Sequence, residues 1–377
     1  MEENPPRLPR LAGAPVEENQ TGGFLGLDIG LLVIGAVVFY LIDLLLWYVR
    51  ASGDFSSKLN FASHLWLYIS CAGVIAGLAA RNSPRTQRYV PTAWLVLSLA
   101  MTHGSRMLPG GSLPPATGPT LRVLTLNLSQ KVHRRPAAIA YLKRRRSTDL
   151  VFLQEVRGNE RKGDRPRLLA ALGSWYPHSI WHEGPILGDF QFGLGIMSRY
   201  PLSEARRLEL TSGYVTKGVC SQTFVLIAKI KVRGKTARVA TTHLCPPRIQ
   251  WRDRNLREVG IRPGTMRDWL LNVRANEYAR RSQFEFLGQI AAGGVDPLVL
   301  GGDLNAAPYS LDLLVLLKTM KSAFDEMGFG FTFASGLFKV RADHVFYSDG
   351  FGARSASVPD VKISNHKPVE AVLEFLP

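Results

Sequence analysis

The apolar positions divide the chain into a first region of long apolar runs and a second region of shorter, interrupted ones. Continuous runs cover Phe24–Val49, Phe61–Ala80 and Tyr89–Thr102. After residue 120 the apolar residues form short groups separated by polar residues, which is typical of the strands and helices of a mixed α/β domain. The pattern predicts a membrane region over residues 24–102 and a folded domain over residues 121–377.

The predicted membrane region contains two to three transmembrane helices. At ~1.5 Å per residue, the first run can cross a ~30 Å hydrocarbon layer, and it is too long for a signal-peptide core. The second run is also of spanning length. The third is shorter and contains Pro91, so it either spans the bilayer or forms a buried or re-entrant segment.

Charges in the short loops predict the orientation of these helices. Arg81, Arg85 and Arg88 lie between the second and third runs, whereas the first loop contains only Arg50 and Lys58. Basic loops favour the cytoplasm. If all three runs span, the large domain is extracytoplasmic, and if the third does not, the domain is cytoplasmic. We predict a multi-pass protein of the cell membrane with an extracytoplasmic C-terminal domain.

Two segments without apolar periodicity flank the predicted membrane region. Residues 1–23 are rich in Pro, Glu and Gly, so we expect a disordered tail. Residues 103–120 contain four glycines and four prolines, and a linker without regular structure is expected there.

The domain after the linker is predicted to mix strands and helices. The predicted strands are Leu121–Leu128, Leu150–Gln154, Gly193–Ser198, Phe224–Val232, Arg238–Thr242 and Pro297–Leu300, and the predicted helices are Arg135–Arg146, Arg267–Ala292 and Ser310–Met320. A hairpin turn at Arg233-Gly234 would bring Cys220 and Cys245 within two residues of direct opposition. An oxidising compartment would then permit a disulfide bond between them.

The net charge indicates an anionic neighbour. The chain carries 46 Lys and Arg residues against 30 Asp and Glu residues, and nearly all of the +16 net charge lies in the domain. Phosphate substrates, nucleic acids and lipid headgroups all fit such an excess. Residues 248–281 are rich in arginine, with Trp251, Trp269 and Tyr278 interleaved. This segment favours lipid headgroups over nucleic acid, and a solvated helix with salt bridges is the alternative.

Polar residues that carry chemistry follow several of the apolar, strand-like runs. They are Asn127, Glu155, His243, Asp303 with Asn305, Asp343, and Asn365 with His366. Taken singly, each motif is weak evidence of a functional site, because an Asp-x-Asn after a strand is usually a turn or a helix cap. Taken together, they predict one cleft, since the ends of strands in a rigid sheet deliver side chains to a common site.

In this order, the motifs resemble the endonuclease/exonuclease/phosphatase superfamily, which includes pancreatic-type DNase, abasic-site endonucleases, neutral sphingomyelinases and inositol-polyphosphate phosphatases. The resemblance covers residues 121–377, and Gly193–Leu202 is also similar to a structural stretch of that family. It implies a DNase I-like α/β fold, a four-layer α/β/β/α sandwich, with the site at one end of the two sheets. It also implies a metal-dependent phosphoric ester hydrolase.

The resemblance implies a metal site and a set of catalytic residues. Asn127 and Glu155 match the metal ligands, with Asn365 as a third, and Mg²⁺ is the expected ion with Mn²⁺ as the alternative, because hard cations prefer oxygen ligands. Asp303 would orient the attacking water, and Asn305 would donate to a phosphoryl oxygen.

The two histidines of the motifs have implied roles of their own. His366, paired with Asp343, would act as a general base or as a charge-stabilising imidazolium. His243 matches a second histidine that stabilises or protonates the phosphate. Asn365 is a departure, since the family usually has Asp at this place. The amide removes a negative charge near the cation and cannot accept a proton.

N-terminal apolar helices followed by such a domain resemble the bacterial membrane-anchored members, including those associated with glycopeptide-antibiotic resistance. The resemblance suggests a lipid-linked phosphate or another envelope phosphoester as substrate. One alternative is an anchored nuclease that acts on external DNA. The other is a catalytically silent module that binds phosphate or lipid, which Asn365 would favour.

Overall fold

The computed structural model describes most of the chain from residue 116 to residue 377. The described ranges are 116–130, 132–157, 163–184, 186–187, 190–191, 193–210, 223–246, 266–308, 310–325, 327–328, 330–335 and 338–377. Within these ranges, no helix combines the length and the apolar character needed to cross a bilayer. The three apolar runs, the tail and most of the linker predicted from the sequence lie outside the described residues.

The first half of the domain supplies one sheet and part of the other. In chain order its elements are β1 Thr120–Asn127, α1 Arg135–Arg144, β2 Leu150–Val156, α2 Asp164–Leu172, β3 His178–His182, β4 Ile186–Leu187, β5 Phe190–Gln191, β6 Gly193–Ser198, β7 Ser203–Glu209, β8 Phe224–Val232 and β9 Lys235–His243.

The second half completes both sheets. Its elements are α3 Met266–Ala292, β10 Leu298–Asp303, α4 Leu311–Leu316, β11 Lys321–Ser322, β12 Phe333–Ser335, β13 Phe338–Val340, β14 Asp343–Tyr347, β15 Phe351–Ser357 and β16 Val369–Phe375. One six-stranded mixed sheet has the order β15-β16-β1-β2-β6-β3, and the other has the order β11-β14-β10-β9-β8-β7. The pairs β4–β5 and β12–β13 form two small ribbons.

The two sheets pack face to face, and helices cover their outer faces. Alternate residues of each strand point to opposite faces of its sheet. In β1, Leu121 and Val123 point to the core between the sheets, while Leu124 and Leu126 pack against α1 and α2 in a second core. A third core joins α3 and α4 to the outer face of the other sheet. The chain therefore folds as an α/β sandwich with two mixed sheets, as the motifs implied.

Gly301 in β10 allows the two sheets to approach closely. A Cβ atom built on Gly301 would lie 2.3 Å from Cδ2 of Phe152, a buried ring of β2 in the facing sheet. Only a residue without a side chain leaves room for that ring. The same inward-facing row of β10 ends at Asp303, so the close packing sets the separation of the sheets just below this residue.

The hairpin predicted around Arg233-Gly234 is confirmed. Val225 pairs with Thr242, and Val232 pairs with Lys235, so the two residues form the turn between β8 and β9. Cys245 forms a disulfide bond. Cys71 and Cys220 both lie outside the described residues, so the predicted pairing of Cys245 with Cys220 stays a prediction.

Several elements differ from the sequence prediction, which gave no bounds for α2, for β3–β5 or for the strands after α4. The helix predicted over Ser310–Met320 covers only Leu311–Leu316, because the Ser310 side chain caps its start and the chain turns after Leu316. The strand β7 was not predicted. Its residues are mostly exposed at the edge of the sheet, so they lack the alternating apolar pattern by which a half-buried strand is recognised.

Candidate active site

Strand ends from both sheets meet at one end of the sandwich. In the first sheet β1 and β2 are parallel, and Asn127 at the end of β1 pairs with Gln154. In the second sheet Asp303, at the end of β10, pairs with His243 on one side and with Asp343 on the other. The register of each sheet therefore places these polar residues in a row.

The Asp303 carboxylate is the point at which the site residues converge. Its Oδ2 atom accepts a hydrogen bond from Asn127 Nδ2 (2.9 Å) and lies 3.5 Å from His243 Nε2 and 3.7 Å from His366 Nε2. Its Oδ1 atom accepts from the backbone N–H of Asn305 (2.9 Å). Asp303 is 1% exposed, so burial and four surrounding nitrogen atoms fix the carboxylate in one position.

The orientation of the Asn127 amide is set by its neighbours. Its Oδ1 atom accepts from the backbone N–H of Ser129 (2.8 Å), so its Nδ2 atom faces the Asp303 carboxylate and Glu155 Oε1 (3.2 Å). A backbone N–H can only donate, which fixes the oxygen on the Ser129 side. Asn127 thus presents a donor to two carboxylates. Its role as a metal ligand, which needs the oxygen, would require the amide to turn over.

Glu155 reaches the site because the backbone of β2 is irregular there. Strand alternation would direct it toward the helices, since Gln154 points inward. The pairing of β2 with β6 shifts between Gln154 and Val156, and Glu155 has a φ of 55°. A positive φ is uncommon for a residue other than glycine, and such strain often marks functional positions. The irregularity turns the Glu155 side chain toward Asn127.

A buried ion pair holds this irregular backbone. The Arg135 guanidinium at the start of α1 pairs with Asp164 Oδ1 (2.8 Å) at the start of α2. Its other nitrogen atoms donate to the backbone carbonyls of Leu128 and Glu155, the latter at 3.3 Å. Arg135 thus ties the ends of β1 and β2 to both helices that cover them, and its charge is balanced by Asp164.

His366 and Asp343 form the second buried pair of the site. His366 Nδ1 lies 2.8 Å from Asp343 Oδ2, and the Thr332 hydroxyl accepts the backbone N–H of Asp343 (3.1 Å). Burial alone would lower the pKa of His366, but the carboxylates of Asp343 and Asp303 outweigh it and raise the pKa to about 10. The arrangement favours the protonated imidazole in the protein without a bound cation.

His243 and Asn305 lie next to each other at the end of β9 and β10. Asn305 has a φ of 49°, and its Nδ2 atom donates to the Leu244 carbonyl (2.9 Å), which follows His243 in the chain. One N–H of the Asn305 amide therefore fixes the backbone beside His243. Its second N–H is the one that could serve a phosphoryl oxygen, the role implied by the motif.

Asn365 lies apart from the converging side chains. It is exposed, and its Oδ1 atom lies 3.2 Å from the hydroxyl oxygen of Ser364. Within the described part of the chain, no hydrogen bond links it to Glu155 or Asp303. The other seven predicted site residues form a connected group, whereas Asn365 joins it only through Ser364, whose hydroxyl also contacts the Asn127 carbonyl (2.7 Å).

The donor set fits a hard divalent cation. Glu155 is partly exposed and offers carboxylate oxygens beside Asn127, while Asp343 Oδ1 is buried without a hydrogen-bond partner among the described residues. Ligand atoms of Asp303, Asp343 and His366 also lie within 4.8 Å of one another. In the group of Asp303, Asp343 and His366, the Nδ1 atom of His366 already contacts Asp343. The carboxylate of Glu155 is therefore better placed to bind an ion that keeps several water ligands.

Part of the arginine-rich segment, residues 248–281, has a structural role. Arg280 in α3 is buried, pairs with Asp312 Oδ2 (3.0 Å), and donates to the Cys245 carbonyl two residues after His243. Arg281 pairs with Glu285 one turn along the helix (3.0 Å). Arg281 therefore fits the solvated, salt-bridged helix that was the alternative interpretation, whereas Arg280 is buried and has a structural role. Residues 248–265, with Trp251, lie outside the described residues.

Several residues of the site carry no recognisable sequence signal. Gln154, which pairs with Asn127, donates from Nε2 to the Thr241 hydroxyl (2.9 Å) and so bridges the two sheets. Ser364 and Arg135 bind backbone atoms, and the spacing of polar residues along one segment cannot show such long-range contacts. The sequence also gives no indication of the positive φ of Glu155.

Comparisons with known proteins agree with this geometry. The model of the Endonuclease/Exonuclease/phosphatase family matches residues 124–366, which include all eight predicted site residues. A comparison with curated proteins gave no match at the required level of similarity.

Solved structures with this fold come from several bacteria. An endonuclease/exonuclease/phosphatase from Beutenbergia cavernae has a TM-score of 0.52 and 23% identity, and the match covers 68% of this chain and 72% of that one. A family protein from Bacteroides thetaiotaomicron has a TM-score of 0.51 and 14% identity, over 69% of this chain and 100% of that one. A third, from Leptotrichia buccalis, has a TM-score of 0.51 and 14% identity, over 68% and 100%. At these identities the likeness concerns the fold.

Proposed function

Because the chain belongs to the endonuclease/exonuclease/phosphatase family, whose members hydrolyse phosphoesters, we propose that it is a Mg²⁺-dependent phosphoesterase anchored in a membrane by its N-terminal apolar runs. The observation that carries the proposal is the convergence of Asn127, His243 and His366 on the Asp303 carboxylate, with Glu155 beside them. Anchoring is supported by the length of the runs within residues 24–102.

The residues of the cluster divide the work of phosphoester hydrolysis. Asp303 orients a water molecule and takes up its proton, since its carboxylate is fixed by hydrogen bonds from the Asn127 amide and the Asn305 backbone N–H. His366, held by Asp343, and His243 face the phosphoryl oxygens from two sides and stabilise their charge. Glu155 would hold the cation, with Asn127 or Asn365 as further ligands. A divalent cation bound there neutralises negative charge on the phosphate.

The substrate is proposed to be a phosphoester of the cell envelope, lipid-linked or free. The excess of basic residues in the domain favours an anionic substrate or surface. A nuclease that acts on external DNA is the second candidate, and it is supported by the breadth of the family rather than by a contact in this chain.

The test is hydrolysis by the purified full-length protein with Mg²⁺, with Mn²⁺ and with a chelator. The substrates are a generic phosphodiester, a phosphomonoester, plasmid DNA and a polyprenyl pyrophosphate. We expect metal-dependent turnover of at least one ester, and a loss of ~10²–10⁴-fold in Asp303→Ala and His366→Ala with the fold intact. The control is Asp349→Ala, whose carboxylate is exposed and lies at the far end of the sheet. Near-parental turnover in both site variants would remove the assignment.

A further inference from the structure

The end of the sandwich opposite the catalytic cluster carries a group of exposed basic residues. β1 and β2 begin at this end, and the turn between β8 and β9 closes it on the other sheet. We call it the basal face and define it by Lys143, Arg144 and Arg146 at the C-terminal end of α1, together with Lys231, Arg233 and Lys235 at and beside the turn. All six side chains are exposed.

The two halves of the basal face belong to one continuous surface. Asp149, just before β2, accepts the backbone N–H of Arg122 (2.8 Å), and its Oδ1 atom lies 3.8 Å from Arg199. The charge of Arg233, in the other sheet, also acts on Asp149. The buried carboxylate therefore lies where the ends of both sheets meet, and cations surround it.

Among the described residues, no ion pair engages any of the six side chains that define the basal face. The acids near this end pair with other cations: Glu204 and Asp296 pair with Lys229 (2.9 and 3.4 Å), and Asp349 pairs with Lys321 (3.2 Å). The helix dipole accounts for cations at the C-terminus of α1. The helix dipole does not account for the three cations at the hairpin between β8 and β9. These cations indicate an external anionic partner.

Exposed apolar side chains lie at the same end. Val295, between α3 and β10, is fully exposed, and Leu376, after β16, is also exposed. Large exposed apolar residues next to basic ones are typical of surfaces that meet the headgroup layer of a bilayer.

The chain enters the domain at the basal face. The backbone N–H groups of Thr117 and Gly118 both donate to Glu374 Oε1 (2.5 Å each), and Pro119 accepts from the N–H of Phe375. These contacts fix the end of the linker beside the start of β1. The residues from 103 to 116 can span at most roughly 45–50 Å when extended. The domain is thus tethered, by this face, close to the last apolar run.

We infer that the basal face docks onto an anionic bilayer surface and that the catalytic cluster faces away from the membrane. The inference rests on the proposed anchoring. The eight residues of β1 span about 26 Å between the two ends of the sandwich. A phosphate at the level of the headgroups therefore lies out of reach. Of the envelope phosphoesters proposed as substrates, the docking therefore selects those that approach from the aqueous phase or whose phosphate projects well beyond the membrane surface.

The test uses the full-length protein reconstituted into vesicles of phosphatidylcholine, with or without phosphatidylglycerol. One sample carries a fluorophore at Val295→Cys and another at Lys362→Cys, near the catalytic end; the parental chain, labelled alike, gives the background from native cysteines. A spin label on the lipid headgroup quenches only a fluorophore close to the surface. We expect quenching of the Val295 label in the anionic vesicles and none of the Lys362 label.

Charge reversal then tests the cause of the docking. Each basic residue contributes about five-fold at an anionic surface, so the triple variant Lys231→Glu, Arg233→Glu, Lys235→Glu should weaken docking by at least roughly 10²-fold. The matched control reverses three other exposed charges, Arg165→Glu, Arg167→Glu and Arg206→Glu. Metal-dependent hydrolysis of a soluble ester should be the same in both triple variants and in the parental chain.

The outcomes separate the docking from the anchoring. A chain that fails to float with the vesicles overturns the anchoring and the docking together. If the chain floats but its Val295 label stays unquenched, the docking alone is overturned. The same conclusion follows if the control triple variant weakens docking as much as the basal triple variant does. DNA binding that is lost in the basal triple variant, without quenching in anionic vesicles, would assign the face to nucleic acid instead.

Discussion

The amide nitrogen of Asn127 donates a hydrogen bond to the carboxylate of Asp303 (2.9 Å), and this bond joins the end of one sheet to the end of the other. The same nitrogen reaches Glu155 (3.2 Å), so a single amide keeps two carboxylates in a fixed relation. The site therefore depends on a contact between strands that are far apart in the sequence.

Asn127→Ala should lower kcat by roughly 10²-fold, because it removes a positioned donor from the site. The measurement is kcat at saturating Mg²⁺ on any ester that the parental protein hydrolyses. Gln154→Ala is the matched control, since Gln154 is also a buried amide that bridges the sheets but does not touch the cluster. Equal losses in both variants would mean that the effect is on packing.

Arg135→Lys should raise the Mg²⁺ concentration for half-maximal activity by about 10–100-fold, the usual cost of losing a group that orients a metal ligand. Lysine cannot bind Asp164 and both carbonyls with one fork of nitrogen atoms. The effect should disappear in a Glu155→Gln background, because Arg135 acts through Glu155. Arg238→Lys provides the control: Arg238 also binds several carbonyls, at the end of α3 away from the site.

Asn365→Asp should tighten Mg²⁺ binding and raise activity at limiting metal, because a carboxylate adds a negative charge to the site. The competing outcome is a fall in activity, through repulsion of Asp303 and Asp343. A Mg²⁺ titration of hydrolysis for both proteins decides between them. An unchanged titration would show that the exposed side chain at 365 lies outside the influence of the ion.

The free energy of unfolding should fall in acid partly through His344. Burial, reinforced by Arg341, lowers the pKa of His344 to about 3, while its Nε2–H donates to the Ala306 carbonyl (2.8 Å). The folded pKa lies below the unfolded value of ~6.5, so stability is retained above pH ~6.5 and is lost as the pH falls toward 3, by up to ~1.4 kcal/mol per pH unit. Urea unfolding of His344→Gln between pH 7 and pH 4 should show a shallower loss. Identical slopes would contradict the assignment.

The sequence predicted the parts of the site that are local. Strand ends, their polar residues and the turn at Arg233-Gly234 follow from short patterns of apolar and polar positions, and the turn fixed the register of β8 and β9. The order of the motifs also predicted the family and its fold. Membrane spans, orientation and the role of each site residue stay predictions.

What the sequence could not predict depends on contacts between distant residues. The Asn127 amide donates rather than accepts because of where the Ser129 N–H and the Asp303 carboxylate lie. The Glu155 side chain reaches the site through a positive φ, which Arg135 helps to hold. Neither leaves a trace in the spacing of residues. Asn365, chosen by motif position, proves to be exposed.

The position of β16 in the first sheet determines when the candidate site can form during synthesis of the chain. This last strand lies between β15 and β1, and it follows directly after His366. A growing chain that ends before residue 366 lacks a site residue, and β1 has no partner on that side. The interior of the sheet therefore stays incomplete until the last strand has left the ribosome. The candidate site can therefore form only after β16 has joined the first sheet.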